Sequence, residues 1–443
     1  MTEQATERKV AEAQTAALEL AKLDDDERSE ALHAVADALV ENEERILDAN
    51  ETDVAEGEEL LEAGEYSQAL VDRLKLSPSK LDDIAEMVRS VAEQDDPLGR
   101  TLSARRLDDG LELYKVGVPI GVIGTVFESR PDALVQIAAL SLKSGNAVIL
   151  KGGSEASHSN RVLYEVIREA TSDMPDGWAG LIEAREDVNA MLELDDAIDL
   201  LMPRGSSEFV SYIQDNTKIP VLGHTEGVCH VFVDRDADVE MAEDVAFDAK
   251  VQYPAVCNAV ETLLIHESVA ADFLPGMVER YRDAGVTLRG DAATREVVDV
   301  DPATDADWET EYGDLELSIK VVDSLDAAVD HVNAYGSKHT ESILTEDADR
   351  AGTFMRSIDA ASVFHNASTR FADGYRYGLG AEVGISTGKI HARGPVGLDG
   401  LTTYKYYLEG DGHLVATYAG ENAKPYLHEE FAGEWVPGHL AEE

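Results

Sequence analysis

The chain has 443 residues, enough for two or three domains around large buried cores. Hydrophobic residues make up 44%, which excludes a disordered chain, and 37 basic against 89 acidic residues leave a net charge of −52. That balance offers no positive face to nucleic acid or to an anionic membrane. With only Cys229 and Cys257, a disulfide framework is excluded and a reducing, cytoplasmic setting is expected. No apolar run approaches the roughly 18 residues of a membrane span, and the N-terminal MTEQATERKVAEAQ lacks the apolar core of a signal peptide. The acids are spread along the chain and arginines outnumber lysines, which reads as a halophile-like surface whose self-repulsion needs salt to screen it. The other reading is an acidic face for a basic partner.

Residues 3–63 read as amphipathic helices, with Val10, Ala13, Ala17 and Leu20, then Leu32, Val35, Leu39 and Ile46, at helical spacing. Asp24 to Asp26 stand where a second helix wants N-terminal acids, and a third helical stretch covers Leu81 to Val91. The period then changes. Thr101–Tyr114 predicts a hairpin around Asp108-Asp109-Gly110. Val118–Phe127, Ala147–Lys151, Ile198–Met202, Val221–Leu222 and Val228–Val233 read as buried strands, with helices over Asp132–Lys143 and His158–Ala170. A second such series follows: strands at Glu261–Ile265, Leu317–Val322 and Ser342–Leu344, helices at Ala270–Arg282 and Ala348–Ile358. Short apolar strands between helices imply parallel sheets covered on both faces, hence two α/β units. Residues 402–417 read as a late strand pair, and the acidic tail from Tyr418 as loosely held.

No G-x-G-x-x-G follows a strand, and no HExxH or zinc-spaced Cys/His cluster occurs. Gly384–Lys389 is one residue short of a Walker A loop and has Ile390 where Ser or Thr is needed. Gly117–Gly124 leads into Phe127-Glu128-Ser129-Arg130-Pro131-Asp132, a strand-to-helix turn that either contacts a ligand or merely lets glycines pack closely. Lys151-Gly152-Gly153-Ser154 and Arg204-Gly205-Ser206 each follow a strand and open a helix, as anion cradles or as simple capped turns; two in one unit favour a phosphorylated cofactor. Cys257 lies on a turn between helix and strand, either as a nucleophile or as packing, whereas Cys229 sits within an apolar strand. Residues 365–394 gather His365, Asn366, Arg370, Lys389, His391 and Arg393 among glycines, a concentration that fits an anionic substrate.

The strings VPIGVIGTVFESRPDALVQIAALSLKSGNAVILKGGSEA, IDLLMPRGS, KIPVLGHTEGVCHVFVD, QYPAVCNAVETLLIH and NASTRFADGYRYGLGAEVGISTGKIHARGPVGLDGLTTYK resemble the γ-glutamyl phosphate reductases (glutamate-5-semialdehyde dehydrogenases) of the aldehyde dehydrogenase superfold. The similarity runs from about residue 10 to about residue 417. It implies an α/β fold with two Rossmann-like units and a small β-flap for oligomerisation, and it explains the missing glycine fingerprint. On this resemblance, 1–100 supplies N-terminal helices to the cofactor unit, 101–118 the first part of the flap, and 119–234 the NADPH unit. Residues 235–395 form the catalytic unit, 396–417 the second part of the flap, and 418–443 the tail. Cys257 matches the catalytic thiol; Lys151, Ser154, Gly205, Ser206 and Glu311 match cofactor contacts; Arg130, Asn366, Arg370, His391 and Arg393 become substrate contacts. No metal is implied. The implied reaction is NADPH-dependent reduction of L-γ-glutamyl 5-phosphate to L-glutamate 5-semialdehyde, the second step of proline biosynthesis. A homo-oligomer and functional coupling to glutamate 5-kinase are implied as partners. Hydrolytic members of the superfold carry a Glu base where this chain reads Val221-Leu222-Gly223-His224, so a reductase is expected, unless nearby Glu226 points at Cys257.

Overall fold

Two parallel sheets and one antiparallel sheet organise the chain, and the computed structural model describes residues 2–436 except Ala184, Arg185 and Thr225. The first sheet orders its strands Ala179–Ile182, Ala147–Gly152, Val122–Phe127 and Leu200–Arg204, all parallel. The strands are buried almost without interruption because helices cover both faces. Helix Thr2–Leu20 lays Val10, Ala13, Ala17 and Leu20 against this core. Asp24 then caps helix Asp25–Glu41: its carboxylate accepts from the Glu27 amide at 2.9 Å and the Glu27 carboxylate accepts from the Asp24 amide at 2.9 Å. Such a reciprocal cap contributes about 1 kcal/mol. Helices Glu43–Glu62 and Pro78–Ala92 follow, the latter with Pro78 in its first turn, where a missing N–H costs nothing. Buried Lys143 ties these layers together by donating to Asp25 (2.6 Å), Ser29 Oγ (2.9 Å) and the Ala92 carbonyl (2.8 Å).

Strand order fixes where a ligand fits. The chain enters at Val122–Phe127, runs outward through Ala147–Gly152 to Ala179–Ile182, and returns to Leu200–Arg204 on the other side. Ligands of open α/β sheets lie at the carboxyl ends of strands flanking such a reversal. Here those ends carry Glu128–Arg130, Lys151–Ser154 and Gly205–Ser206.

The expected strand Val118–Phe127 is two strands. Leu111–Pro119 belongs to the antiparallel sheet and Val122–Phe127 to the parallel one. The break falls at Gly121, at φ 136°, where a Cβ would lie 2.2 Å from Asp199 Oδ2, the carboxylate that accepts from Val122 N at 2.8 Å. Val221 makes only a single bridge to Leu201 rather than a strand with Leu222.

The second sheet has seven parallel strands in the order Asp301–Pro302, Thr287–Gly290, Glu316–Val322, Val260–His266, Cys229–Val233, Thr340–Leu344, Ser362–His365. Cys229–Val233, expected in the cofactor unit, pairs here between Val260–His266 and Thr340–Leu344. Conversely, Val383, expected in the catalytic unit, and Val396, Leu398 and Leu401, expected in the flap, pack in the first core.

The hairpin Thr101–Asp108/Leu111–Pro119 gains Thr402–Gly410 on one side and Glu429–Phe431 on the other. Two expectations are corrected here. Residues 402–417 hold one strand, because Val415–Tyr418 turns as a 3₁₀ helix. The tail after Tyr418 is tied down: Tyr418 OH donates to Asp108 Oδ2 at 2.7 Å, Lys424 pairs with the same carboxylate, and Trp435 packs on Tyr407. Among the described residues, no helix is long and apolar enough to cross a membrane.

Candidate active site

Cys257 sits on the turn between helix Val239–Val251 and strand Val260–His266, half-buried. The turn is held from beneath. Its carbonyl accepts from the Cys229 thiol at 3.2 Å, and Gly227 presses on it so closely that a Cβ there would lie 2.1 Å from the Cys257 carbonyl oxygen. The next residue, Asn258, is buried; its amide donates to the Ala372 carbonyl at 2.8 Å and its carbonyl oxygen accepts from Arg370. Cys229 is fully buried with its thiol pKa pushed well up, whereas Cys257 is only half-buried.

The surroundings of Cys257 are polar and charged. Burial, then Glu311, then Glu382 push its thiol pKa up to about 12, against a smaller pull from Arg204. One ring nitrogen of His224, one of His339 and Cys257 Sγ all lie within 4.8 Å of one another. Glu226, the residue that threatened the reductase reading, is exposed, and it is not among the charges acting most strongly on the thiol. Residues missed from the sequence are therefore His224, His339, Arg204 and Glu382. His224 was noted only as part of the segment that lacks a base, and Arg204 only as the residue leading into Gly205.

Glu311 lies on the loop that leads into Glu316–Val322, the parallel neighbour of the strand Val260–His266 that follows Cys257. Its loop is pinned by a buried pair, Lys250 with Glu261 at 2.6 Å, and by Glu261 accepting from Gly313 N at 3.2 Å. Glu311 acts electrostatically on both His224 and the Cys257 thiol.

Across the cleft stand the carboxyl ends of the first sheet. Lys151 is buried at a strand end with its ammonium on the Gly152 carbonyl, and Ser154 is exposed at the start of the 3₁₀ turn Ser154–Ala156. Both anion-cradle turns already hold carboxylates of this chain. Glu155 accepts from Ser129 N at 2.6 Å and lies over Gly153; Glu128 accepts from Ser206 N at 3.0 Å and lies over Gly205. The Ser206 amide thus already faces an anion, and Gly153 and Gly205 each lie beneath a carboxylate that an incoming phosphate would displace. The donor set therefore fits a dinucleotide's phosphates.

The loop residues split into two groups. Arg370 is buried beside the nucleophile, with Nε donating to Gln252 Oε1 at 3.0 Å and Nη1 to Asn258. Exposed Arg130 lies near Arg204, whose side chain donates to Gln136 Oε1 at 3.3 Å; burial and Arg130 lower the Arg204 pKa. The others are committed elsewhere. Asn366, at φ 53°, accepts from Thr345 N at 2.9 Å and donates to Thr345 O at 3.0 Å. His391 Nε2 lies 2.8 Å from the Gly400 carbonyl, and Asp359 draws in Lys389 at 2.8 Å and Arg393 at 3.0 Å. The sequence cluster is thus not one anion pocket: Asp359, just outside the 365–394 stretch, neutralises half of it.

The profile of the aldehyde dehydrogenase family matches residues 1–307. A γ-glutamyl phosphate reductase of Natronomonas pharaonis is 75% identical over 439 residues, covering 99% of this chain and 100% of the relative. The crystal structure of the γ-glutamyl phosphate reductase of Thermotoga maritima superposes with a TM-score of 0.90 at 43% identity, over 92% of this chain and 99% of that one. A glyceraldehyde-3-phosphate dehydrogenase of Methanocaldococcus jannaschii complexed with NADP shares the fold, with a TM-score of 0.64 at 15% identity, over 93% and 95% of the two chains. With relatives of this identity over nearly its whole length, the chain belongs to the aldehyde dehydrogenase family and, within it, to the γ-glutamyl phosphate reductases.

Proposed function

We propose that the protein reduces L-γ-glutamyl 5-phosphate to L-glutamate 5-semialdehyde and phosphate, with NADPH as reductant and a thioester on Cys257, as the second step of proline biosynthesis. The observation that carries the reading is the placement of Cys257: half-buried on a braced turn, beside Arg204 at the strand end that bears the Gly205–Ser206 cradle. Lys151, Ser154, Gly205 and Ser206 would hold the adenosine ribose and phosphates, and Glu311 the ribose nearest the thiol. Bound NADPH supplies the hydride.

The chain's own residues do the rest. Cys257 Sγ attacks the acyl carbon and phosphate departs, leaving the acyl group on sulfur. Arg130 and Arg204 attract the anionic end of the substrate, since two guanidiniums at one strand end, one of them on a neutral Gln136, leave positive potential for an incoming anion. Arg370 fixes the turn through Asn258 and Gln252. Val221 occupies the segment where hydrolytic relatives carry Glu, and Glu226 is exposed, so neither position supplies the carboxylate that would activate water against the thioester.

The test is Cys257→Ser. Reduction is expected to vanish while NADPH binding, measured by fluorescence titration, persists; an unaffected rate overturns the reading.

A further inference from the structure

We propose that His224 is the base that takes the Cys257 proton as sulfur attacks, and the acid that hands that proton to the departing phosphate. The proposal rests on the substrate reading above and adds to it the proton path that the thiol lacks.

The need is set by the thiol itself. With its pKa pushed up to about 12, only about 10⁻⁵ of Cys257 is thiolate at pH 7, so the sulfur requires a partner to react at neutral pH. The geometry supplies two imidazoles, each offering a nitrogen within 4.8 Å of Sγ.

Their hydrogen bonds tell them apart. His224 Nδ1 lies 2.9 Å from the Ile385 carbonyl, which only accepts, so Nδ1 carries the proton and Nε2 keeps its lone pair. Ile385 is in turn fixed by its pairing with Pro395 across a two-stranded ladder. The ring is therefore held in one tautomer by rigid backbone, the arrangement a general base needs. Burial lowers the His224 pKa and keeps the ring neutral at pH 7, with Glu311 supporting the imidazolium once it forms and Arg204 opposing it.

His339 is the poorer candidate. It is fully buried, its Nδ1 is 2.8 Å from Thr340 Oγ1 and 3.8 Å from Cys229 Sγ, and burial pushes its pKa down to about 3. Its ring stands edge-on to His224 at 5.1 Å and walls the site from beneath.

The step balances. As the S–C bond forms, the S–H proton passes to His224 Nε2; as the C–O bond to phosphate breaks, the imidazolium delivers it to the departing phosphate oxygen. Bound NADPH would supply the hydride for the acyl carbon; the C–S bond then breaks and sulfur leaves as thiolate. A solvent proton, relayed by the same imidazole, restores the thiol. That is the one proton the overall reduction consumes.

His224→Asn tests the assignment, because its side-chain amide keeps a donor for the Ile385 carbonyl and lacks the lone pair of Nε2. Phosphate-dependent oxidation of glutamate 5-semialdehyde by NADP, run across the neutral and alkaline range, reads the reverse of the same proton transfer. At neutral pH kcat is expected to fall about 10²–10³-fold and to climb with pH as hydroxide replaces the base, with KM for the semialdehyde little changed. Imidazole added to His224→Ala is expected to restore part of the rate, a rescue that a misfolded variant does not show. Alkylation of Cys257 by iodoacetamide at neutral pH, which needs no substrate, is expected to slow by about tenfold in His224→Asn. A His224→Asn enzyme with wild-type rate, pH profile and alkylation overturns the proposal. So does loss of rate in His339→Asn with His224→Asn unaffected, which moves the base to the other ring. A wild-type enzyme without phosphate-dependent oxidation defeats the substrate reading instead, and the alkylation comparison still decides the Cys257–His224 pair.

Discussion

Arg370 donates from Nη1 to the side-chain carbonyl of Asn258, the residue next to the nucleophile. Its Nε reaches Gln252 at 3.0 Å on the helix side of the same turn, so one planar guanidinium spans both ends of the Cys257 loop. Lysine cannot make that two-pronged contact. Arg370→Lys is therefore expected to lower kcat by at least about tenfold through misplacement of the sulfur, since small displacements of a reacting atom are costly. Steady-state kinetics with melting curves check this; a rise in KM alone would make Arg370 a substrate ligand instead.

Glu382 offers a pH test. Burial raises its pKa to about 7, although Gly374 N donates to it at 2.7 Å, and its charge raises the pKa of the Cys257 thiol. A carboxyl whose folded pKa lies above its unfolded value stabilises the fold fully below about pH 4.5 and loses that contribution as pH rises through about 7. Glu382→Gln is expected to melt with a smaller decline between acid and alkaline pH than wild type. It should also alkylate faster at Cys257 above pH 7. Parallel melting and iodoacetamide rates measure both.

The sequence shows the buried strands plainly, because Ala147–Gly152 and Val260–His266 are covered on both faces and carry apolar runs such as Ala147–Leu150 and Leu263–Ile265. It hides what depends on distant partners. The break at Gly121 is set by Asp199, far along the chain, and the orientation of His224 by Ile385, 161 residues away. Helix Gln68–Leu74 escapes because seven residues carry too little periodicity, and the strand Glu429–Phe431 because three residues look like any acidic tail. The turns that carry Cys257, Lys151 and Gly205 are legible because glycines and polar residues interrupt the apolar runs there. The basic loop misled because opposite charge on Asp359 cannot be paired with it by spacing alone.

The tail makes a separate prediction. Phe431 stacks edge-on against buried Tyr114, with centroids 5.8 Å apart, and Arg106 lies over its ring at 5.5 Å. Phe431→Ala is expected to destabilise the flap by about 2–4 kcal/mol, given the usual cost of deleting a packed aromatic at a partly buried site. Denaturant unfolding should show the loss, with Cys257 alkylation unchanged.

Net charge makes another. At −52, self-repulsion opposes folding until salt screens it, over a Debye length that shrinks from about 10 Å at 0.1 M to about 3 Å at 1 M. The melting temperature is expected to rise steeply with KCl into the molar range; a melting point indifferent to salt contradicts the halophilic reading of the surface.

The most direct measurement of the central claim is NADPH formation from glutamate 5-semialdehyde in concentrated KCl, with and without inorganic phosphate. Acyl transfer from Cys257 to phosphate predicts that the reaction requires phosphate and disappears in Cys257→Ser. Oxidation to free glutamate without phosphate would mean that water, not phosphate, takes the acyl group from sulfur, and the account of this site would be wrong.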